Sequence, residues 1–344
     1  MESGGQIKLR RHPRPYSPLQ RPQHQRLRAR GGPPRRRVGT PLLLVASVDD
    51  PLGLGYNGRM PELPEVETIA RSLAPRITGR RIAGVDLLYK PLLRTGGKKG
   101  LAALCGRRVL GVRRRGKMLL VACEDARTLV FHLKMTGQFL FGKVGAPRDK
   151  HIRLVVRFED GKNELRFRDV RKFGFLLCLA GEPESACGEL ACLGPEPLEV
   201  GLAEFRAILG RRKGRIKSLL LDQTRIAGIG NIYADETLFE ARIHPETSAS
   251  SLKADAVERL YRSMRKILAS AVAAGGSTLT DAGYRDADGN AGDFQFSHKV
   301  YDRTGEPCLA CGTPIAMKRI GGRSSHFCPI CQRRIARRKT SFKL

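Results

Sequence analysis

The chain has no hydrophobic run approaching the ~20 residues that a membrane-spanning helix needs. A disulfide framework is also missing. The cysteines number nine, an odd count, and five of them (Cys105, Cys123, Cys178, Cys187 and Cys192) are scattered through mostly apolar segments, as reduced and buried small hydrophobes would be. Acidic side chains are the third shortage: 33 Asp and Glu stand against 63 Lys and Arg, a formal net charge of +30. An excess of that size calls for a polyanionic partner, with nucleic acid first among them. The imbalance is not confined to one tail. Residues 1–59 carry 12 basic and 3 acidic side chains, a net of +9, so the remainder keeps +21.

With 344 residues there is room for two or three domains. Residues 1–59 hold 8 of the 20 prolines and 11 arginines with little periodicity. They cannot bury a core and are expected to be disordered. The stretch Pro41–Ser47 loosely resembles the apolar part of a signal peptide, but it is short and far from the N-terminus. An organellar transit peptide would share the Arg-rich, acid-poor composition. A start codon assigned too far upstream explains the segment more simply.

From Leu63 to Leu73, Val66, Ile69, Ala70 and Leu73 fall at i, i+3, i+4 and i+7, which predicts an amphipathic helix with prolines near both ends. The period then changes to strands, at Arg81–Tyr89, Arg108–Arg113, Met118–Cys123, Thr128–Met135, Arg153–Phe158, Glu164–Arg168 and Gly174–Leu179. Asp160-Gly161 marks a hairpin turn between two of them. Six or seven strands in one block suggest a β-sandwich or barrel. After Gly194-Pro195-Glu196-Pro197 the helical period returns over Leu202–Leu209, Ile216–Asp222, Ile232–Ala241 and Ala254–Ala273. Residues 275–296, rich in Gly and Asp, read as a flexible loop. The expected class is therefore α+β, in four segments: a basic extension (1–59), a β-rich domain (60–194), a helical domain (195–290) and a cysteine-bearing tail (291–344).

The most specific motif is Cys308-x2-Cys311-x16-Cys328-x2-Cys331, whose spacing suits one tetrahedral Zn²⁺. Four thiolates leave the metal no open position, so the site is structural. Between the two cysteine pairs, Ile315–Ile320 and Arg323–Phe327 flank Gly321-Gly322, a two-residue hairpin turn. Arg323, with Lys318 and Arg319 nearby, gives that hairpin a basic tip suited to a nucleic-acid groove. Four weaker motifs precede it. Gly228-Ile229-Gly230-Asn231-Ile232-Tyr233 allows a tight turn into a helix whose free N–H groups could hold a phosphate, or else an ordinary Asn cap. Arg113-Arg114-Arg115-Gly116-Lys117 is a charge run leading into a strand. His132-Leu133-Lys134-Met135-Thr136-Gly137 and Asp169-Val170-Arg171-Lys172-Phe173-Gly174 are charged turns carrying an apolar residue.

The order of these motifs, preceded by Met60-Pro61-Glu62-Leu63-Pro64-Glu65-Val66-Glu67, resembles formamidopyrimidine-DNA glycosylase from Met60 to about Gln332. The resemblance implies an N-terminal helix and β-sandwich, a helix-two-turn-helix domain and a zinc-finger β-hairpin, with double-stranded DNA across the cleft between the halves. It implies excision of oxidised purines, chiefly 8-oxoguanine and formamidopyrimidines, followed by cleavage of the abasic site, by a monomer in the bacterial cytoplasm. By resemblance Pro61 is the amine nucleophile, Glu62 the general acid and Lys117 the essential lysine. Met135, Arg171 and Phe173 fill the hole left by the flipped nucleotide. His151, Lys217, Asn231, Tyr233 and Arg323 match DNA-contacting positions, and Glu65 belongs to the same signature, where it also reads as a favourable helix-start charge. No metal is expected at the catalytic centre.

Two positions depart from the family's turn Asp-Pro-Arg-Arg-Phe-Gly, at Val170 and Lys172. The larger departure is the extension. A proline nitrogen within a peptide bond is delocalised and is no nucleophile, so the chemistry requires residues 1–60 to be absent. Two alternatives stand beside the enzyme reading: a DNA-binding protein of the same fold with its nucleophile blocked, and a pyrimidine-lesion glycosylase of the same superfamily.

Overall fold

The computed structural model describes residues 60–210, 214–279 and 284–334. The segment 1–59, with its expected disorder and signal-like stretch, lies outside the described residues, as do residues 280–283 of the expected loop. All described residues fall within one unit, Val45–Leu344.

Helix α1 (Leu63–Ile77) buries Val66, Ile69, Ala70, Leu73 and Ile77 along one stripe. It runs past the expected end at Leu73 and carries Pro75 within its last turn. Burial of Ile77 extends the stripe, and the Thr78 N–H still closes on the Ala74 carbonyl at 3.0 Å. Together these offset the bond that proline removes.

The strands follow as β1 (Ile82–Leu87), β2 (Leu93–Thr95), β3 (Val109–Arg115), β4 (Met118–Cys123), β5 (Arg127–His132), β6 (Gly137–Lys143), β7 (Ile152–Phe158), β8 (Asn163–Asp169) and β9 (Phe175–Ala180), with a short helix α2 (Gly97–Ala102) after β2. They form a five-stranded sheet, β2-β9-β5-β4-β3, and a four-stranded sheet, β1-β7-β8-β6. All pairings are antiparallel except β2 with β9. The sheets meet through Phe131 of β5 and Phe139 and Phe167 of β6 and β8, with ring centroids 4.9 to 5.5 Å apart. That is the spacing of edge and tilted aromatic pairs in a sandwich core.

Seven of the nine strands lie where the hydrophobic pattern puts them. The pattern missed β2, which is three residues long, and β6. Strand β6 lies at a sheet edge with glycines at 137 and 142, which weaken its local signal. Its place is fixed by pairing, with Phe139 opposite Phe167.

Two short turns, α3 (Pro183–Ala186) and α4 (Gly188–Ala191), lead into the helical half: α5 (Leu202–Gly210), α6 (Ile216–Leu221), α7 (Asn231–Glu240) and α8 (Ala254–Ala273). Phe205, Leu220, Ile232, Leu260, Met264 and Leu268 form its core, and Leu63 from α1 joins them. The described parts of 275–296 are tied down rather than loose: Ser277 bridges to Asp293, and the Asp286 carboxylate accepts the N–H groups of Asp288 and Asn290. The chain ends in a hairpin of β10 (Ala316–Ile320) and β11 (Arg323–Phe327). Gly321 and Gly322 have φ of +56° and +79°, as a primed two-residue turn requires.

Phe167 touches Phe139 on the neighbouring strand and Phe131 across the sandwich, and is fully buried. Phe167→Ala is expected to cost about 3–5 kcal/mol in chemical denaturation; a loss under 1 kcal/mol would show that the two sheets do not share this core.

Candidate active site and nucleic-acid interface

Glu62 precedes the first residue of α1, and its side chain leaves the sandwich half to enter the start of α7. One carboxylate oxygen accepts the Gly230 N–H at 2.7 Å, and the other accepts the Ile232 N–H at 2.9 Å. The Leu63 N–H donates to the Gly228 carbonyl at 3.0 Å. The glycine motif is explained by this closeness. A Cβ on Gly230 would lie 2.3 Å from the Glu62 carboxyl carbon, and one on Gly228, whose φ is +86°, would lie 2.8 Å from the Leu63 Cβ. The helix start read in the sequence as a phosphate cradle or an Asn cap therefore holds an anion of the chain itself, and the capping position is Gly230 rather than Asn231.

Burial pushes the Glu62 carboxyl up to about 7, against the Lys117 ammonium, which pulls it down; the neighbouring Glu65 charge pushes it further up, and the Ile232 and Gly230 N–H groups pull it down. The carboxyl therefore keeps its proton to a higher pH than an ordinary glutamate does. Pro61, next to it, is buried.

Glu65 does more than complement a helix start. One oxygen accepts the Glu62 N–H at 2.8 Å; the other accepts the Tyr233 hydroxyl and the Ser277 N–H at 2.7 Å. It thus joins α1, α7 and the segment after α8. Gly276, φ +80°, comes so near that a Cβ would lie 2.7 Å from the same oxygen. Burial raises both Glu65 and Tyr233 above their ordinary values. Tyr233 is fully buried, and Ser277 Oγ lies 3.3 Å from its hydroxyl.

Lys117 is carried on the β3–β4 turn, which Gly116 makes with φ +56°. The turn is anchored by Glu196 from the linker, which accepts the Gly116 N–H at 2.7 Å and the guanidinium groups of Arg115 at 3.0 Å and Arg114 at 2.6 Å. The basic run 113–117 is therefore largely a joint between sandwich and linker. Lys117 itself is buried to 6 % exposure, close enough to Glu62 to act on its charge.

Met135, Arg171 and Phe173 come together on adjoining turns. The Arg171 guanidinium donates to the Met135 sulfur at 3.2 Å and lies 4.8 Å over the Phe173 ring, which is exposed. Their scaffold is Asp169, wholly buried, which accepts the Thr136 hydroxyl from one turn and the Gly174 N–H at 2.8 Å from the other. Thr136 in turn accepts the Arg171 N–H. His151 adjoins this scaffold, its carbonyl accepting the Asp169 N–H and its ring 3.3 Å from the Arg153 guanidinium.

The remaining candidates stand around α7 and the hairpin. Asn231 opens α7 half-buried, and its carboxamide oxygen has no hydrogen-bond partner among the described residues. Lys217 is fully buried, donating to Asp235 and to the Ser324 carbonyl at 2.7 Å each. Arg323 begins β11 at the hairpin tip, partly exposed. The four sulfurs of Cys308, Cys311, Cys328 and Cys331 lie within 4.8 Å of one another, two of the distances being 3.9 and 3.5 Å. Tetrahedral Zn–S bonds of about 2.3 Å place sulfurs about 3.8 Å apart, so the four thiolates fit one structural zinc.

The family models agree with this layout. The formamidopyrimidine-DNA glycosylase N-terminal domain matches residues 60–176, its H2TH domain matches 193–282, and the zinc finger found in FPG and IleRS matches 305–334. A formamidopyrimidine-DNA glycosylase of Solibacter usitatus is 48% identical over 276 residues, covering 80% of this chain and 100% of that protein. The chain belongs to the formamidopyrimidine-DNA glycosylase family. Among solved structures, the MutM (Fpg) protein of Thermus thermophilus matches with a TM-score of 0.72 at 43% identity, over 80% of this chain and 100% of that one. The Lactococcus lactis Fpg, solved with DNA containing N7-benzyl-Fapy-dG, matches at 0.74 and 37% over the same shares.

The sequence motifs assigned no role to the residues that hold this candidate site in place: Asp169, Glu196, Gln223, Asp235 and Ser277. Gln223 accepts the Gly228 N–H and donates to the Ile229 carbonyl, both at 2.8 Å, and so shapes the turn that receives Glu62. Gly230→Ala overpacks that turn and is expected to cost about 1–3 kcal/mol, read as a lower thermal midpoint at unchanged zinc content. An unchanged midpoint would mean that the Glu62 side chain is free to leave the cradle.

Proposed function

We propose that this chain is a bifunctional base-excision enzyme, which removes oxidised purines such as 8-oxoguanine and formamidopyrimidines from double-stranded DNA and then cuts the strand at the resulting abasic site. The observation that carries the reading is the Glu62 carboxyl: adjacent to position 61, buried, with an affinity for its proton raised to about 7. A carboxyl in that state gives up a proton at neutral pH where an ordinary glutamate has none to give.

The steps follow from that placement. The damaged nucleotide leaves the stack to bring its sugar to the cleft. The Pro61 nitrogen attacks the anomeric carbon; the glycosidic bond breaks, and the base departs with its electron pair and takes up a proton. Glu62 protonates the sugar-ring oxygen, so the ring opens and the nitrogen–carbon bond becomes an iminium. The iminium acidifies the adjacent sugar proton. Its loss expels the 3′ phosphate, and a second elimination expels the 5′ phosphate. Lys117, beside Glu62, supplies positive charge for the phosphate and disfavours protonation of the Pro61 amine. Met135 and Phe173 enter the vacated stack and Arg171 faces the orphaned base. Arg323 and Asn231 contact the DNA backbone. The zinc site holds the hairpin and takes no part in the chemistry.

The nucleophile requires a free secondary amine, so the active form begins at Pro61; the N-terminal family model starting at residue 60 supports this. No described helix is long and apolar enough to cross a membrane, and we place the working enzyme on DNA in a bacterial cytoplasm.

Borohydride reduction on duplex DNA containing 8-oxoguanine, with intact-mass measurement of the same preparation, tests the reading. A covalent adduct is expected in the fraction that begins at Pro61 and in no longer form. An adduct on chains that retain residues before Pro61, or none on chains that begin there, would contradict it.

A further inference from the structure

Asp235 lies on α7 one turn beyond Asn231 and is 1 % exposed. Its carboxylate takes one bond from the helical half and three from the hairpin. Lys217 Nζ donates to one oxygen at 2.7 Å, and the Ser325 hydroxyl donates to the same oxygen at 3.1 Å. The other oxygen accepts the His326 backbone N–H at 2.9 Å, and the His326 ring nitrogen Nδ1 stands 3.2 Å away. Lys217 closes the loop through its bond to the Ser324 carbonyl. Residues 324, 325 and 326 are thus all fixed on one buried ion pair, and Arg323 is the next residue toward the hairpin tip.

The charges give this cluster a direction. The Lys217 ammonium is attracted by Asp235 and Glu62 and repelled by the Arg323 guanidinium. Without the Asp235 charge, Glu62 alone is left to offset the repulsion between the Lys217 ammonium and the Arg323 guanidinium. A buried pair of this kind adds little stability over an apolar pair, while breaking one leaves an uncompensated charge. Its value lies in fixing one arrangement of the parts around it. Zinc closes the far end of the hairpin; Asp235 sets where the near end points.

We propose that Asp235 is a positioning residue for DNA binding: through Lys217 and the backbone of residues 324–326 it holds Arg323 of the zinc hairpin in register with Glu62 and Lys117. This rests on the proposed activity, in which Arg323 contacts the DNA backbone.

The test is a double-mutant cycle on the zinc-loaded enzyme beginning at Pro61, with duplex DNA carrying a tetrahydrofuran abasic analogue. Wild type, Asp235→Asn, Arg323→Ala and the double variant are compared for Kd at several salt concentrations, for zinc content, and for single-turnover cleavage of abasic-site DNA at saturation. Asp235→Asn is expected to weaken binding about tenfold and to reduce the slope of log K against log salt by about 0.9, the signature of one lost phosphate contact. Zinc content is expected to stay at one per chain, and the saturated rate within about threefold. In the Arg323→Ala background the Asp235 substitution is expected to add less than about twofold, because both act through one contact. Unchanged affinity in Asp235→Asn, or effects that multiply, would overturn the proposal. Should Asp235→Asn lose its zinc or fail to fold, Ser325→Ala takes its place in the cycle. A weakening of about twofold to fivefold that vanishes with Arg323→Ala supports the proposal, and wild-type affinity overturns it. Failure of the wild-type protein to bind abasic duplex would instead overturn the functional reading.

Discussion

The Glu62 carboxylate at the start of α7 is the contact around which the two halves of the molecule are arranged. It reaches from the first helix of the sandwich half into the turn 228–230 of the helical half, and the adjacent Leu63 packs in the helical core. Burial at that junction is what raises its affinity for a proton, and the two backbone N–H donors keep the ionised form accessible. The same contact that joins the halves therefore puts the carboxyl in the state that the proposed acid role needs. Two glycines are required because any Cβ at 228 or 230 would occupy the space of Leu63 or Glu62.

A chain so short of acidic residues uses its buried ones as joints. Glu65 ties α1 to α7 and to Ser277. Glu196 holds the Lys117 turn to the linker, and Asp169 holds the turns that carry Met135, Arg171 and Phe173. Glu236 accepts the successive N–H groups of Lys299, Val300 and Tyr301, between 2.8 and 3.1 Å, and fastens the zinc-bearing tail to α7. Each carboxylate satisfies backbone donors or cations that would otherwise be left unpaired in the interior. The excess of positive charge remains available for DNA, while the few internal negative charges decide where it is presented.

Much of this was legible in the sequence. The four-cysteine spacing, the primed turn at Gly321-Gly322 and the period of α8 depend on neighbours close along the chain, and local pattern reports them well. The order of the short motifs pointed to the family, and with it to Pro61, Glu62 and Lys117. Strand β6 was not legible, because its place comes from pairing with β8 and not from its own glycine-flanked residues. Nor was the partner of the 228–230 turn, since Glu62 lies 168 residues away from Gly230. Lys217 read as a DNA contact, yet its ammonium is engaged by Asp235 and the Ser324 carbonyl beneath the hairpin. Burial of a lysine by a residue 107 positions distant leaves no trace in local composition.

In the proposed mechanism Glu62 works as an acid because burial at its junction raises its proton affinity. The most direct measurement is the single-turnover rate of 8-oxoguanine release against pH, with enzyme in excess over DNA. A group that acts in its protonated form is lost as the pH rises through its value, here about 7. The rate is expected to fall about tenfold per pH unit above that point, with the falling limb absent in the residual activity of Glu62→Gln. A rate that stays level or rises between pH 7 and 9, or a falling limb that persists in Glu62→Gln, would contradict it.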